Sequence, residues 1–343
     1  MKQQREVITI CDICERPYKS SRISPFICDD CLKKLNNFAN NSSLYCNECM
    51  SEINKNEPYH IDDSGFIYCD ACFSYSGSSS ILPHRRKKFP LFYGDKSTMN
   101  FYGVELEADG GGKSNPKASK LLKLINNEQE LIYIKSDNSL SKGIEVVTHP
   151  ATLQFHQNEM PWEEITNSLK NMHYKSYKTS TCGLHIHINR TAFGNTEIER
   201  LPNLLRFVCV FERFWPELLQ FSGRTSEEAD KWASRYGIYN SPSQLLSKIQ
   251  EDNTRNRCVN LRKQTTVEVR LFHGTLNPQF ILAAIELVDY IRSISVSTTF
   301  SNILNLSWPV LLNGLTDSYP NLLACLKIAG MYKNDPVDTR IDI

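Results

Sequence analysis

The stretch Cys182-Gly183-Leu184-His185-Ile186-His187-Ile188-Asn189 constrains this chain more than any other. Side chains on a strand alternate between faces, so His185, His187 and Asn189 share one side and Leu184, Ile186 and Ile188 the other. Aliphatic residues at every second position suit a strand half buried on a core. The opposite side carries two imidazoles two residues apart, at which spacing both can reach one cation. A strand polarised in this way requires a hydrophobic layer behind it and a polar cleft in front.

Three further stretches repeat the pattern. Gly103-Val104-Glu105-Leu106-Glu107 sets two carboxylates against two aliphatics. Thr266-Val267-Glu268-Val269-Arg270-Leu271-Phe272 pairs a carboxylate with a guanidinium. Gly143-Ile144-Glu145-Val146-Val147 adds a single carboxylate. Alternation places His273 on the face opposite Glu268 and Arg270. Carboxylates gathered in one cleft repel one another strongly, and a bound divalent cation is the simplest relief. Oxygen donors with an imidazole suit Mg²⁺ or Mn²⁺.

At 343 residues the chain has room for one large domain and a small one. Its 39 basic residues nearly balance 38 acidic ones, so the net field favours neither nucleic acid nor anionic membrane. No apolar run approaches the ~20 residues of a membrane helix, and the first residues lack the apolar core of a secretory signal. Eight of the twelve cysteines form four C-x-x-C pairs: Cys11/Cys14, Cys28/Cys31, Cys46/Cys49 and Cys69/Cys72. Without a signal peptide, that usage points to metal in a reducing, cytoplasmic setting rather than to disulfides.

Each C-x-x-C grips one edge of a zinc tetrahedron and two pairs complete it, so residues 1–76 read as two four-cysteine zinc modules holding two structural zinc ions. Sequential pairing, the first pair with the second and the third with the fourth, closes the shorter loops and is favoured over a cross-braced scheme. Tyr68 and Phe73 flank the last pair and are expected to pack on it, because so small a module has little core of its own. His60 reads as a surface residue rather than a replacement ligand. The front end resembles tandem treble-clef or zinc-ribbon modules (zinc fingers in the broad sense), whose partner would be protein or nucleic acid.

Residues 77–100 read as a flexible basic linker: Ser/Gly-rich at first, then His84-Arg85-Arg86-Lys87-Lys88. Five residues supply few phosphate contacts, so solvation is the simpler reading of that basic run. Within 101–343, helical spacing marks 116–128, 161–173, a long helix over 196–221 kinked near Pro216, 243–251, 279–296 and 308–328. Strands fall at 131–135 and 256–261. Gly110-Gly111-Gly112 reads as a turn rather than a phosphate loop, since Lys113-Ser114 follows without the G-x-x-x-x-G-K-[ST] spacing of a Walker motif. Cys209, Cys258 and Cys325 read as buried thiols.

The order of these pieces over residues 101 to about 290 resembles the amidoligase family, carboxylate–amine ligases of the glutamine synthetase and glutamate–cysteine ligase superfamily. The resemblance is carried by the four alternating stretches above, by Asp137-x-Ser139-Leu140 and by Gly274-Thr275-Leu276-Asn277. It implies an α+β fold in which a curved antiparallel sheet has helices on its convex side and ATP with two or more Mg²⁺ (or Mn²⁺) in the concave cleft. It also implies amide formation between a carboxylate and an amine, free or on a peptide or protein, through an acyl phosphate. On this resemblance Glu105, Glu107 and Glu145 hold one metal, while His185 or His187 with Glu268 helps hold another. One histidine ligates metal and the other contacts phosphate or carboxylate. Arg270 clamps the transferring phosphoryl or the tetrahedral oxyanion, with Arg224 a second candidate, and Asp137 binds and deprotonates the incoming amine.

Two rival readings stand beside it. One is a metal-dependent hydrolase or oxygenase that uses His185 and His187 in a cupin-like barrel and needs a third ligand nearby. The other is a non-catalytic zinc-module adaptor, which leaves the carboxylates buried without a purpose. Cys182 beside the polar face is a candidate nucleophile that an acyl phosphate route does not need.

Overall fold

The computed structural model describes residues 8–10, 17–19, 44–46, 52–53, 57–61, 67–73, 79–84, 86, 88–177, 179, 181–263 and 265–332. Six short strands come first and pair as three antiparallel ladders: β1 (Ile8–Ile10) with β2 (Pro17–Lys19), β3 (Leu44–Tyr45) with β4 (Glu52–Ile53), and β5 (Tyr59–Ile61) with β6 (Ile67–Cys69). Cys46, Cys69 and Cys72 bring their sulfurs within 4.8 Å of one another. They form a small core with Ile53 that Ile67 and Tyr68 help to cover. Phe73 instead lies outside, stacked on His60 with ring centroids 3.9 Å apart. The His60 ring is bonded to Asp70 at 3.0 Å, which agrees with a surface role. Cys11, Cys14, Cys28, Cys31 and Cys49 lie outside the described residues.

The segment expected as a flexible linker is tied to the large sheet where it is described. The Leu82 amide donates to the Ile134 carbonyl and its own carbonyl accepts from Ser136, both at 2.8 Å. Leu82 is buried with Tyr133 and Val147. Serine-rich composition signals solvation, but an open sheet edge offers backbone partners to any chain that reaches it.

The large sheet has six strands: β7 (Tyr102–Ala108), β8 (Ile132–Lys135), β9 (Ile144–Thr148), β10 (Gly183–Asn189), β11 (Val259–Asn260) and β12 (Thr266–His273). Their order is β11-β12-β10-β7-β9-β8, and every neighbouring pair is antiparallel. Val104, Leu106, Ile134, Val146, Ile186 and Val269 line the apolar face in one continuous core. Each such side chain contributes roughly 1.5–3 kcal/mol of burial, which fixes the register, since a one-residue slip would turn every carboxylate into that core.

Helices cover the apolar face. Pro278–Ser297 packs behind β10, capped by the Asn277 side chain on the Gln279 amide at 3.0 Å and opened by Pro278. Glu197–Arg213 packs on it, its start closed by a Thr196/Glu199 capping box. The single long helix expected over 196–221 ends at Phe214, and Pro216 opens a second one, Trp215–Ser222. Likewise the last helical stretch, 308–328, divides into two helices, Trp308–Leu312 and Pro320–Ile328, and a further short helix, Phe300–Asn305, precedes it. The fold is thus α+β, an antiparallel sheet with helices on one side and its charged side open. Among the described residues no helix is long and apolar enough to cross a membrane.

Candidate active site

Strand register assembles the polar face. Across the sheet, Lys135 pairs with Glu145, Glu145 with Glu107, Glu105 with His185, His187 with Glu268, and Glu268 with Asn260. Alternation within each strand then turns all of these side chains to the same side. Glu105 reaches both histidines, its Oε2 lying 3.5 Å from His185 Nδ1 and its Oε1 3.3 Å from His187 Nε2. The same His185 nitrogen lies 4.0 Å from Glu107 and 3.9 Å from Glu268. The sequence-predicted Glu105, Glu107, Glu145, His185, His187 and Glu268 therefore converge. Two triads have donor atoms mutually within 4.8 Å: Glu105–His185–Glu268 and Glu107–Glu145–His185.

Basic groups enter the same space. Arg270 donates to Glu268 Oε1 at 2.5 Å, and Asn260 donates to its other oxygen at 2.8 Å. Lys135 lies 3.1 Å from Glu145 Oε2. Arg224, buried beyond the end of Trp215–Ser222, anchors its Nε on the Leu271 carbonyl at 2.9 Å. Its guanidinium lies over Gly183, where an added Cβ would sit 2.9 Å from Arg224 Nη2 and 2.6 Å from His185 Nε2. Only glycine leaves room there, and its N–H donates to Glu107 at 2.6 Å.

Asp137 stands just beyond β8. Its Oδ1 accepts the Ser139 amide at 2.6 Å and the Ser139 hydroxyl, and its Oδ2 faces His84 Nδ1 at 3.3 Å.

A register shift in the β10–β12 pairing alters one expectation. Ile186 opposes Val269, whereas Leu184 opposes Phe272, so β12 carries one extra residue at this point. The bulge turns Phe272 into the core and sets His273 opposite Gly183, on the side of His185. His273 is thus on the polar face, 3.8 Å from Glu228, and not on the reverse face that strict alternation predicts. Sequence reasoning also passed over Lys135 and Asn260. Each occupies an alternating position in a stretch read as a strand, and that was the available signal.

Burial and charge pull the carboxylates in opposite directions. Burial pushes Glu268 up, but Arg270 and then His187 outweigh it and hold the group at about 2. Burial also opposes ionisation of Glu105, yet His187, His185 and Lys135 keep it well below the carboxylate range. Glu107 is raised by burial. Glu145 is raised well above its ordinary value by burial and by Glu105, with Lys135 only partly compensating. Asp137 is held low despite burial by His84 and Ser139. Burial lifts the Cys182 thiol to about 12, which removes it as a nucleophile.

A divalent cation would compete with the protons on Glu145 and Glu107. Both carboxyls are raised in the fold, so ionising them costs folded-state stability. Their contribution is greatest below the ordinary value of 4.5 and is lost as pH rises through the raised values. Melting of the Mg²⁺-free protein should show Mg²⁺ raising the transition more at about pH 8 than at about pH 5.5. A Mg²⁺ effect that is flat, or larger at the acid end, would contradict this.

The donor set fits a hard cation: oxygen-rich, with the buried His185 Nδ1 and His187 Nε2 lacking formed hydrogen bonds. A cavity of about 470 Å³ lies elsewhere, between the 79–91 segment and β8, and gathers no comparable chemistry.

Comparison with known proteins bears on the same region. Residues 123–291 match the family described as "Putative amidoligase enzyme". Among solved structures, apo GmaS without ligand aligns at 12% identity with a TM-score of 0.41, covering 68% of each chain. A GmaS/ADP complex aligns at 14% identity and TM-score 0.38, covering 68% of this chain and 69% of that one. PafA, in its complex with the prokaryotic ubiquitin-like protein Pup, aligns at 8% and 0.29, covering 68% and 57%. No curated protein matches the sequence.

Proposed function

We propose, from the match of residues 123–291 to the amidoligase family, that the chain is an ATP- and Mg²⁺-dependent ligase joining a carboxylate to an amine through an acyl phosphate. The observation that carries this reading is the convergence of Glu105, Glu107, Glu145 and Glu268 on a buried His185 nitrogen that forms no hydrogen bond. Glu105, Glu107 and Glu145 would hold one cation, and His185 or His187 with Glu268 a second. Bound there, magnesium supplies neutralisation of the phosphate charge that builds up during phosphoryl transfer.

The remaining work falls to fixed side chains. Arg270, locked by Glu268, presents its guanidinium to the transferring phosphoryl or the tetrahedral oxyanion. Arg224 stands beside Glu107 as a second positive group on the same face. Asp137 stays ionised far below neutral pH, so it suits binding an amine as ammonium better than taking its proton. Cys46, Cys69 and Cys72, with Cys49, would hold one structural zinc, and Cys11, Cys14, Cys28 and Cys31 the other. The convergence of Cys46 with Cys69 and Cys72 supports sequential pairing.

A histidine-based hydrolase in a barrel finds less support, because the terminal strands β11 and β8 do not pair with each other among the described residues. The test is ADP release by the full chain with Mg²⁺ and ATP against panels of acids and amines, then mass spectrometry of the product. Release that requires both an acid and an amine, with a product lighter than their sum by one water, is expected. Release indifferent to both would contradict the proposal.

A further inference from the structure

We infer that His84 is the general base of the ligase reaction, oriented by Asp137 and carried to the site by the segment that precedes the large sheet. The inference rests on the ligase reading and adds to it the group that takes the proton of the incoming amine.

Register places the ring. Leu82 forms a parallel bridge with Lys135, its amide and carbonyl bonded to Ile134 and Ser136. Two residues further along both chains, His84 comes to stand beside Asp137. His84 Nδ1 is buried 3.3 Å from Asp137 Oδ2, whereas the side chain as a whole is 32% exposed. The open part of the ring is therefore the edge that carries Nε2. The Asp137 charge is felt by Glu107, Glu145 and Lys135, which sets the pair at the rim of the polar cleft. His84 lies outside the residues matched to the family, so its placement is a feature of this chain.

One acceptor position on Asp137 remains for the amine. An ionised carboxylate offers about four such positions. The Ser139 amide and hydroxyl use Oδ1, and His84 uses one side of Oδ2. An ammonium can take the other side, next to the ring. Asp137 is too firmly ionised to accept the proton itself. A carboxylate facing Nδ1 fixes the neutral tautomer with its hydrogen there and leaves Nε2 as the basic nitrogen.

The ammonium N–H bond breaks toward Nε2, directly or through one water, and its electron pair stays on the amine nitrogen. That nitrogen bonds to the acyl carbon, the carbon–oxygen bond to phosphate breaks, and phosphate leaves with the bonding pair. The second amine proton goes to the departing phosphate, and His84 returns the first to water.

Two measurements on the full, zinc-replete chain test this. Nitrogen NMR of isotope-labelled histidine is recorded above the range in which imidazoles titrate, the signal lost in His84→Gln or His84→Asn identifying the ring. Wild type should carry the hydrogen on Nδ1, and Asp137→Asn should lose that preference. A hydrogen on Nε2 in wild type overturns the base role, with no substrate needed. The second measurement supplies ATP, Mg²⁺ and a panel of amino acids and di- and tricarboxylic acids. Alkylamines and amino acids enter as ammonium ions, whereas hydroxylamine is largely unprotonated at neutral pH and needs no base. His84→Gln should lose about 100-fold in kcat with the ammonium-type amines and far less in hydroxamate formation, with KM for the acid unmoved. Equal loss with both kinds of amine, or no loss, overturns the role of His84 and leaves the ligase reading standing. No hydroxamate from wild type with any acid of the panel overturns the ligase reading itself.

Discussion

Glu105→Gln should reduce Mg²⁺-dependent ADP formation by about 100-fold or more, and the metal-free protein should melt lower than the parent. Glu105 is the one carboxylate within 3.5 Å of both histidines, so it links β7 to the two imidazoles of β10. Glutamine keeps the shape and removes the charge. The loss falls on metal retention, where even a supporting group is worth ~10–100-fold. Stability falls as well, because despite burial His187 and His185 hold the Glu105 carboxyl well below its ordinary value, so the ionised group adds stability at neutral pH. Part of that cost is offset, since Glu105 also repels the Glu145 carboxyl. Turnover measured well below the variant's melting temperature, with melts with and without Mg²⁺, separates lost metal retention from simple unfolding. Unchanged turnover would remove Glu105 from the site.

Arg270→Met should cost about 3 kcal/mol of folding stability, because it leaves Glu268 buried without its charge partner. Arg270 is 15% exposed on its side chain, which places the cost at the lower end of the range for broken buried pairs. The sign of the pH dependence follows from Glu268. Its carboxyl, depressed to about 2, adds stability that is present above the ordinary 4.5 and lost as pH falls through the depressed value. Without Arg270 that contribution should shrink, bringing the variant's acid unfolding to higher pH. The double variant Arg270→Met/Glu268→Gln should recover most of the stability and none of the activity, since the clamp and a metal ligand are both gone. Urea unfolding and ADP release measure the two effects separately. A single-variant cost below about 1 kcal/mol would mean that solvent, not Arg270, compensates Glu268.

The polar face was legible in the sequence because its signal is local. Period-two alternation in four stretches fixed which side Glu105, Glu107, Glu145, His185, His187, Glu268 and Arg270 take, and antiparallel pairing did the rest. What the sequence hid depends on contacts between distant residues. The bulge that moves His273 to the polar face comes from the match of β12 to β10, and nothing in residues 266–273 announces it. Lys135 ends the stretch read as a strand at 131–135, and only the fold sets Glu145 beside it. The Ser/Gly composition around residue 79 suggested a free linker, whereas Leu82 finds backbone partners on the edge of β8. His84 then reaches Asp137, an approach no spacing rule could supply. Pro216 did signal a break, and the structure places the division at Phe214.

The most direct test of the magnesium–nucleotide site is calorimetry of ADP binding to the zinc-replete full chain, with and without Mg²⁺. Binding that depends on Mg²⁺ and disappears in Glu105→Gln is the predicted result. Binding to wild type that is absent in both conditions, or indifferent to Mg²⁺, would contradict the account.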